Sequence, residues 1–202
     1  MRHVPGAVPR PGPVDLLVNN AGYGELALIV DMTDDQWTKV IDLCLTGPFL
    51  VSRAWAQRLI AVNLPGAAVN ISSLNYTAAT DGLSAYCSAK AGVAQFTKVC
   101  ASEWGRFGLR VNAVAPGATQ TELTRVNGLL SGQMADEFVG RTPLGRFGET
   151  DDIARGVALL LSDDAGWISG VTLSVDGGAH IKGLHSYWDV AQADLAAAGG
   201  AS

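Results

Sequence analysis

Tyr86 and Lys90 stand four residues apart in Tyr86-Cys87-Ser88-Ala89-Lys90, the spacing that puts two side chains on one face of a helix. An ammonium beside a phenol stabilises the phenolate and lowers a pKa that is otherwise about 10. Such a pair can pass a proton to or from an alcohol or carbonyl oxygen near neutral pH. Ser73 precedes Tyr86 by 13 residues, at the end of an expected strand, where parallel sheets present groups to ligands. Its hydroxyl can hydrogen-bond the same substrate oxygen. Taken singly, a Tyr-x-x-x-Lys is more often an exposed lysine beside a packed tyrosine, and a strand-end serine is more often a turn residue. The weight rests on the combination.

Other chemistries fit less well. A serine hydrolase needs a G-x-S-x-G elbow, and Gly82-Leu83-Ser84-Ala85-Tyr86 departs from it. Gly22-Tyr23-Gly24-Glu25-Leu26-Ala27 spells a G-x-G-x-x-A dinucleotide fingerprint, but that turn should open directly into a helix. Here the helix signal waits until Thr33, and Asp42, about where an acidic strand end would fall, lies within an expected helix. Cys44, Cys87 and Cys100 form no C-x-x-C pair, so reduced thiols in a cytoplasm fit better than a disulfide framework or a zinc site. His3, His180 and His185 are scattered and read as solvated surface residues; no metal site is expected.

The elements that must position these residues alternate. Buried strands are expected at 14–19, 67–72, 110–115 and 172–175, with helical patterns between them, the signature of a parallel α/β sheet covered on both faces. Thr33 with Gln36 reads as a capping box opening a helix over about 34–60. Trp37, Val40, Ile41, Leu45, Val51 and Trp55 recur along it at helical spacing, and Gly47-Pro48 should kink it. A second helix is expected over 84–104, ended by Gly105 and Gly108. A third, after Thr150, places Ile153, Val157, Leu160 and Leu161 on one face. The stretch 121–148 reads as an irregular, mobile lobe.

The 202 residues are 48% hydrophobic and 16% charged with a net charge of −5, a globular composition large enough for one well-buried domain. The acidic balance argues against a nucleic-acid partner, and no apolar run reaches the ~20 residues of a membrane span. The organisation expected is a Pro-rich disordered lead-in at 1–13, a partial Rossmann-type domain at 14–188 and a flexible tail at 189–202. The lead-in has no apolar core of a signal peptide.

Several motifs in order carry a family resemblance. Asn19-Asn20-Ala21-Gly22, Ser73 with Tyr86-x-x-x-Lys90, Pro116-Gly117 with Thr121, and Ser174-Val175-Asp176-Gly177-Gly178 resemble the short-chain dehydrogenase/reductase family. So does Arg141-Thr142-Pro143-Leu144-Gly145-Arg146-Phe147-Gly148 followed by Asp151-Asp152-Ile153-Ala154. The match runs from about 14 to 179. It implies a Rossmann-like fold and NAD(P)-dependent hydride transfer between nicotinamide and a secondary alcohol or ketone, such as a 3-oxoacyl, sugar or steroid-like carbonyl. It makes Tyr86 the general acid/base, with Lys90 lowering its pKa and holding the nicotinamide ribose, and Ser73 orienting the substrate oxygen. Asn19, Ala21 and Gly22 would lie along the adenosine side of the cofactor. Thr119 and Thr121, after the Pro116-Gly117 turn, would meet its nicotinamide end. A homodimer or homotetramer is implied, built through the two long helices and the last strand.

Two departures accompany the resemblance. The family's opening strand, glycine-rich turn and helix have no counterpart before Asn19, so the first βαβ units are expected to be missing, cofactor binding to be weak or absent, and cofactor preference to be unreadable. Cys44 stands where the family usually has an asparagine that holds a water of the proton relay. A thiol cannot reproduce an amide's two-way hydrogen bonding, so Cys44 reads as a small buried hydrophobe. Two functions therefore remain: an active oxidoreductase, or a catalytically impaired remnant that only binds partners. Loss of the first strands would also leave the 14–19 strand as an apolar edge open to pairing.

Overall fold

The computed structural model describes residues 12–126 and 131–182. Four parallel strands form its main sheet in the order β1-β2-β3-β6: Leu16–Asn19, Gly66–Ile71, Leu109–Pro116 and Thr172–Val175. The register runs Val18 to Val69, Asn70 to Ala113 and Val114 to Leu173. Successive side chains on a strand point to opposite faces, and the two sides of the sheet carry separate cores. On one, Ala68, Leu109 and Val111 pack with Trp55, Ala56, Leu59 and Cys100 from the long helices α2, Gly47–Ala61, and α3, Ser84–Trp104. On the other, Val69 and Val114 meet Leu160, Ile153, Val157 and Leu161 of the Thr150–Leu161 helix. This is the doubly covered α/β sheet expected from the alternating pattern, with the third helix burying the face assigned to it.

The first expected strand is shorter than the apolar run suggests. It starts at Leu16 rather than at 14, because Val14 is 68% exposed and only the carbonyl of Asp15 joins the ladder, accepting from Ala67 N at 3.0 Å.

The capping box forms as expected: Gln36 N donates to Thr33 Oγ1 at 3.2 Å and Thr33 N donates to Gln36 Oε1 at 2.9 Å, opening α1, Asp34–Ile41. The interruption at Gly47-Pro48 takes another form than a simple kink. Asp42–Thr46 is a π-helical turn in which Gly47 N reaches back five residues to Asp42 O, and Pro48 then sits in the first turn of α2. Pro48 has no N–H to give, and widening the helix by one residue absorbs the mismatch. Of the residues expected on the buried face, Val40 and Trp55 are buried, but Trp37 and Val51 are 41% and 49% exposed. The π turn rotates the two halves relative to a single 3.6-residue repeat.

Helix α3 has the expected limits, and Gly108, at φ 74, takes the left-handed conformation that turns the chain into β3. The stretch 121–148 is more ordered than expected. It holds α4, Glu122–Val126, and α5, Gly132–Gly140, and two short strands, β4, Thr119–Gln120, and β5, Gly148–Glu149, pair in parallel beside it. The last helix of the described chain, Thr150–Leu161, is α6. Residues 127–130, most of the expected lead-in at 1–13, His3, His185 and the expected tail at 189–202 lie outside the described residues. No described helix is long and apolar enough to cross a membrane.

Candidate active site

Parallel strands end on the same side of a sheet, so the residues following β1, β2 and β3 converge there. Ser72 and Ser73 follow β2. Ser72 Oγ donates to the carbonyl of Lys90 at 2.9 Å, tying α3 to the end of the strand. Ser73, extended at φ −165 and ψ 160, caps the short 3₁₀ turn Leu74–Tyr76. Tyr86 enters on the first turn of α3 and packs against the buried cluster of Val40, Cys44, Ala85 and Ala89. The three catalytic candidates, drawn from the end of one strand and one helix, thus lie at the strand-end side of the sheet.

Lys90 is 3% exposed. Its Nζ donates to Ile71 O at 2.7 Å and lies 5.4 Å from the centre of the Tyr86 ring. Space for it depends on Gly22: a Cβ there would come within 3.3 Å of Lys90 Nζ and 3.4 Å of Cys44 Sγ. The carbonyl of Ile71 as anchor for the ammonium, and Ser72 as anchor for its helix, were not anticipated. The repeated serine after a strand was the one available signal.

The electrostatics differ from the expectation. Burial pushes the Tyr86 phenol above its ordinary value, the hydrogen bond with Ser73 lowers it only in part, and the thiols of Cys44 and Cys87 raise it further. Burial likewise lowers the Lys90 ammonium, with Cys44 opposing. The Lys90 ammonium, 5.4 Å from the ring centre and bonded to Ile71 O, does not offset this burial. At neutral pH Tyr86 carries its proton, which suits a proton donor.

Cys44 is buried and its Sγ donates to Tyr23 O at 3.3 Å, the weak contact of a small hydrophobe in the π turn. The side chain of Asn19 serves the scaffold. Its Nδ2 lies 2.8 Å from Ser52 Oγ and 2.7 Å from Asn70 Oδ1, and Asn70 Nδ2 donates to Thr97 Oγ1 at 2.9 Å. Ala21 and Gly22 are exposed in the loop beyond β1. The Pro116-Gly117 turn is fixed by Gly117 N donating to Val175 O at 3.2 Å. Thr119 Oγ1 donates to Gly117 O at 3.0 Å, while Thr121 Oγ1 accepts from Thr124 N at 3.1 Å and caps α4. Both hydroxyls are thus engaged by their own loop. The Gly22–Ala27 segment opens no helix; Ala27 forms an isolated bridge with Leu83.

His180 is exposed, as expected, and also pairs with Asp176: its Nδ1 lies 2.8 Å from Asp176 Oδ2, and Asp176 receives Gly178 N and His180 N. Among the described residues no cluster of His, Cys, Asp or Glu could hold a metal ion. Two surface cavities lie away from Tyr86. One of about 520 Å³ is lined by Arg146, Arg155, Asp176 and His180 among others, and one of about 590 Å³ by Val14, Leu17, Val51 and Trp55 among others. Neither includes Ser73, Tyr86 or Lys90, so converging polar groups rather than cavity size mark the site.

The doubly covered parallel sheet is a Rossmann-like fold, with Ser73 after β2 and Tyr86 and Lys90 on α3, and comparison with known proteins gives its family. The family model described as enoyl-(acyl carrier protein) reductase matches residues 3–180. The chain is 39% identical over 171 residues to the 3-oxoacyl-(acyl-carrier-protein) reductase of Haemophilus influenzae, covering 85% of this chain and 69% of that protein. It is 42% identical over 168 residues to the acetoacetyl-CoA reductase of Shinella zoogloeoides, covering 83% and 68%. A solved gluconate 5-dehydrogenase from Burkholderia cenocepacia, in complex with NADP and tartrate, superposes with a TM-score of 0.80 at 34% identity, over 84% of this chain and 66% of that one. The chain belongs to the short-chain dehydrogenase/reductase family of NAD(P)-dependent oxidoreductases. It spans about two thirds of the length of these relatives.

Proposed function

We propose that the protein transfers hydride between a nicotinamide cofactor and a secondary alcohol or ketone. The observation that carries this reading is the buried Lys90 ammonium 5.4 Å from the centre of the Tyr86 ring, on a helix beside Ser73 at the end of a parallel sheet. Ser73 orients the carbonyl oxygen, Tyr86 donates its proton to that oxygen, and Lys90, held beside the ring by Ile71 O, is placed for the nicotinamide ribose. The bound cofactor supplies the hydride.

The residues present fit the nicotinamide and ribose end of such a cofactor. Gly22 leaves the Lys90 ammonium unobstructed, and the Pro116–Thr121 turn borders the same sheet end. The described residues contain no glycine-rich turn opening a helix of the kind that cradles a pyrophosphate. Affinity of the 202-residue chain for NAD(P) is therefore expected to be weak. The substrate class is a 3-oxoacyl, sugar or steroid-like carbonyl, and the first is favoured because two relatives are named as reductases of acyl carriers.

A second reading, a binding or oligomerisation role without turnover, is favoured by β1. Among the described strands it is an edge, with Val14 and Leu16 exposed and an apolar groove beside it. Such an edge can pair with another chain. A homodimer or homotetramer through the long helices and β6 is compatible with either reading, and sedimentation reads it directly.

The deciding experiment assays purified protein with NADH and NADPH against 3-oxoacyl thioesters, keto-sugars and a steroid ketone, alongside a cofactor titration. Tyr86→Phe is expected to cut turnover at least ~100-fold, the scale of an acid–base group. Retention of most turnover in that variant would remove Tyr86 from the reaction, and cofactor binding without turnover on any substrate would favour the second reading.

A further inference from the structure

Ser73 has one proton, and the structure shows where it rests. Ser73 Oγ donates to Asn75 Oδ1 at 3.3 Å and accepts from Asn75 N at 3.2 Å. The amide of Asn75 cannot turn the other way at no cost. Its Nδ2 donates to Thr80 Oγ1 at 2.7 Å and to Ala78 O at 3.1 Å, which uses both amide protons and leaves Oδ1 for the serine. The turn over Ser73–Thr80 is thus built so that a side-chain oxygen faces the hydroxyl meant for substrate.

We infer that Asn75 is a positioning residue for Ser73, holding the serine proton in the resting site and releasing it when a carbonyl oxygen or a phenolate takes its place. This rests on the assignment of Ser73 and Tyr86 to the reacting oxygen. With its proton on Asn75 and one lone pair taken by Asn75 N, Ser73 keeps one lone pair that a protonated Tyr86 hydroxyl can donate to. An arriving carbonyl has no proton of its own and must draw one from both Ser73 and Tyr86. At 3.3 Å the bond to Asn75 is well beyond the 2.7–2.8 Å typical of O–H···O pairs, so the proton is held loosely enough to be surrendered. No bond is made or broken in this step; one hydrogen bond is exchanged for another. In the opposite protonation state the same competition operates, because a Tyr86 phenolate pulls the Ser73 proton away from Asn75.

That competition is measurable without substrate or cofactor. The groups bearing on Tyr86 are the Lys90 ammonium and Cys87 from its own helix, the Cys44 thiol from the π turn, and Ser73 from the end of β2. Only Ser73 among them is touched by Asn75. The probe is 3,5-difluorotyrosine placed at position 86, whose more acidic phenol titrates where the fold stands, followed by fluorine NMR. In Asn75→Ala, Ser73 is free to donate to the phenolate, and the midpoint is expected to fall by about half a pH unit or more, the scale of one modest hydrogen bond. Ser73→Ala should raise it, and adding Asn75→Ala to Ser73→Ala should then change nothing. A merely structural role for Asn75 would not depend on the serine in this way. Asn75→Leu, which also lacks the acceptor, serves if the alanine variant does not fold. An unmoved midpoint in Asn75→Ala, or an equal movement in the absence of Ser73, overturns the inference. Because no turnover enters the measurement, its outcome is independent of whether the protein proves to be an oxidoreductase.

Discussion

Gly22 and Lys90 are in contact across the site: a methyl group on Gly22 would come within 3.3 Å of the ammonium that Ile71 O holds at 2.7 Å. The lysine cannot retreat without giving up that bond, and the same methyl would come within 3.4 Å of Cys44 Sγ. Gly22→Ala is therefore expected to shift Lys90 and lower turnover about tenfold, the effect of a misplacement of a few tenths of an ångström in a reacting group. The denaturant midpoint should hardly move, because Gly22 is exposed. Comparing kcat with the unfolding curve separates the two, and unchanged kcat would show that the ammonium position is not critical.

The Cys44 thiol bears on the same ammonium. Its burial among Val40, Ala85 and Ala89 and its weak bond to Tyr23 O describe a filler rather than a nucleophile. In a preparation that turns over, Cys44→Asn is expected to leave kcat equal or higher, since an amide can both donate and accept where a thiol does neither well. A severe loss, measured beside an unchanged melting temperature, would assign the thiol a role of its own.

Arg110 holds the far end of the sheet to α6. Its guanidinium donates to Leu160 O at 2.7 Å, Ser162 O at 3.0 Å and Leu161 O at 3.4 Å, covering carbonyls that a helix C-terminus leaves without partners. Arg110→Met keeps the stem and removes these donors. A loss of about 2 kcal/mol is expected from chemical denaturation, on the scale of hydrogen bonds from a charged group. A variant as stable as the wild type would mean that water replaces the arginine fully.

Asp152 supplies a test in acid. Arg146 Nη1 donates to its Oδ2 at 2.7 Å and Glu149 N at 2.9 Å, which together hold the carboxyl at about 2, below its ordinary 3.8. A carboxyl with a depressed folded-state pKa contributes stability that is present above its unfolded pKa and lost as pH falls through the folded one. The melting temperature should therefore drop between pH 4 and about pH 2, and part of that drop should disappear in Asp152→Asn. The pair is solvent-exposed and screened, so the effect should shrink in high salt. Identical pH profiles for the two proteins would show that the pair contributes nothing to folding.

The parts of this protein legible without a structure are those governed by neighbours along the chain. Thr33 and Gln36 cap a helix through bonds spanning three residues, Tyr86 and Lys90 share a helical face through the pitch of α3, and the apolar runs around Val69 and Val114 declare buried strands. Each depends on local sterics and hydrogen bonding, which residue types encode directly. Tertiary structure decided the rest. Arg110 finds the end of α6 some 50 residues away, Asn19 spends its amide on Ser52 and Asn70, and Lys90 turns to Ile71 O instead of bringing the phenol down. Those partners exist only once the strands have paired and the helices have closed over them. The burial that results sets the protonation of Tyr86, because the free energy of a charge depends on the water removed from around it, a quantity that no spacing along the chain contains.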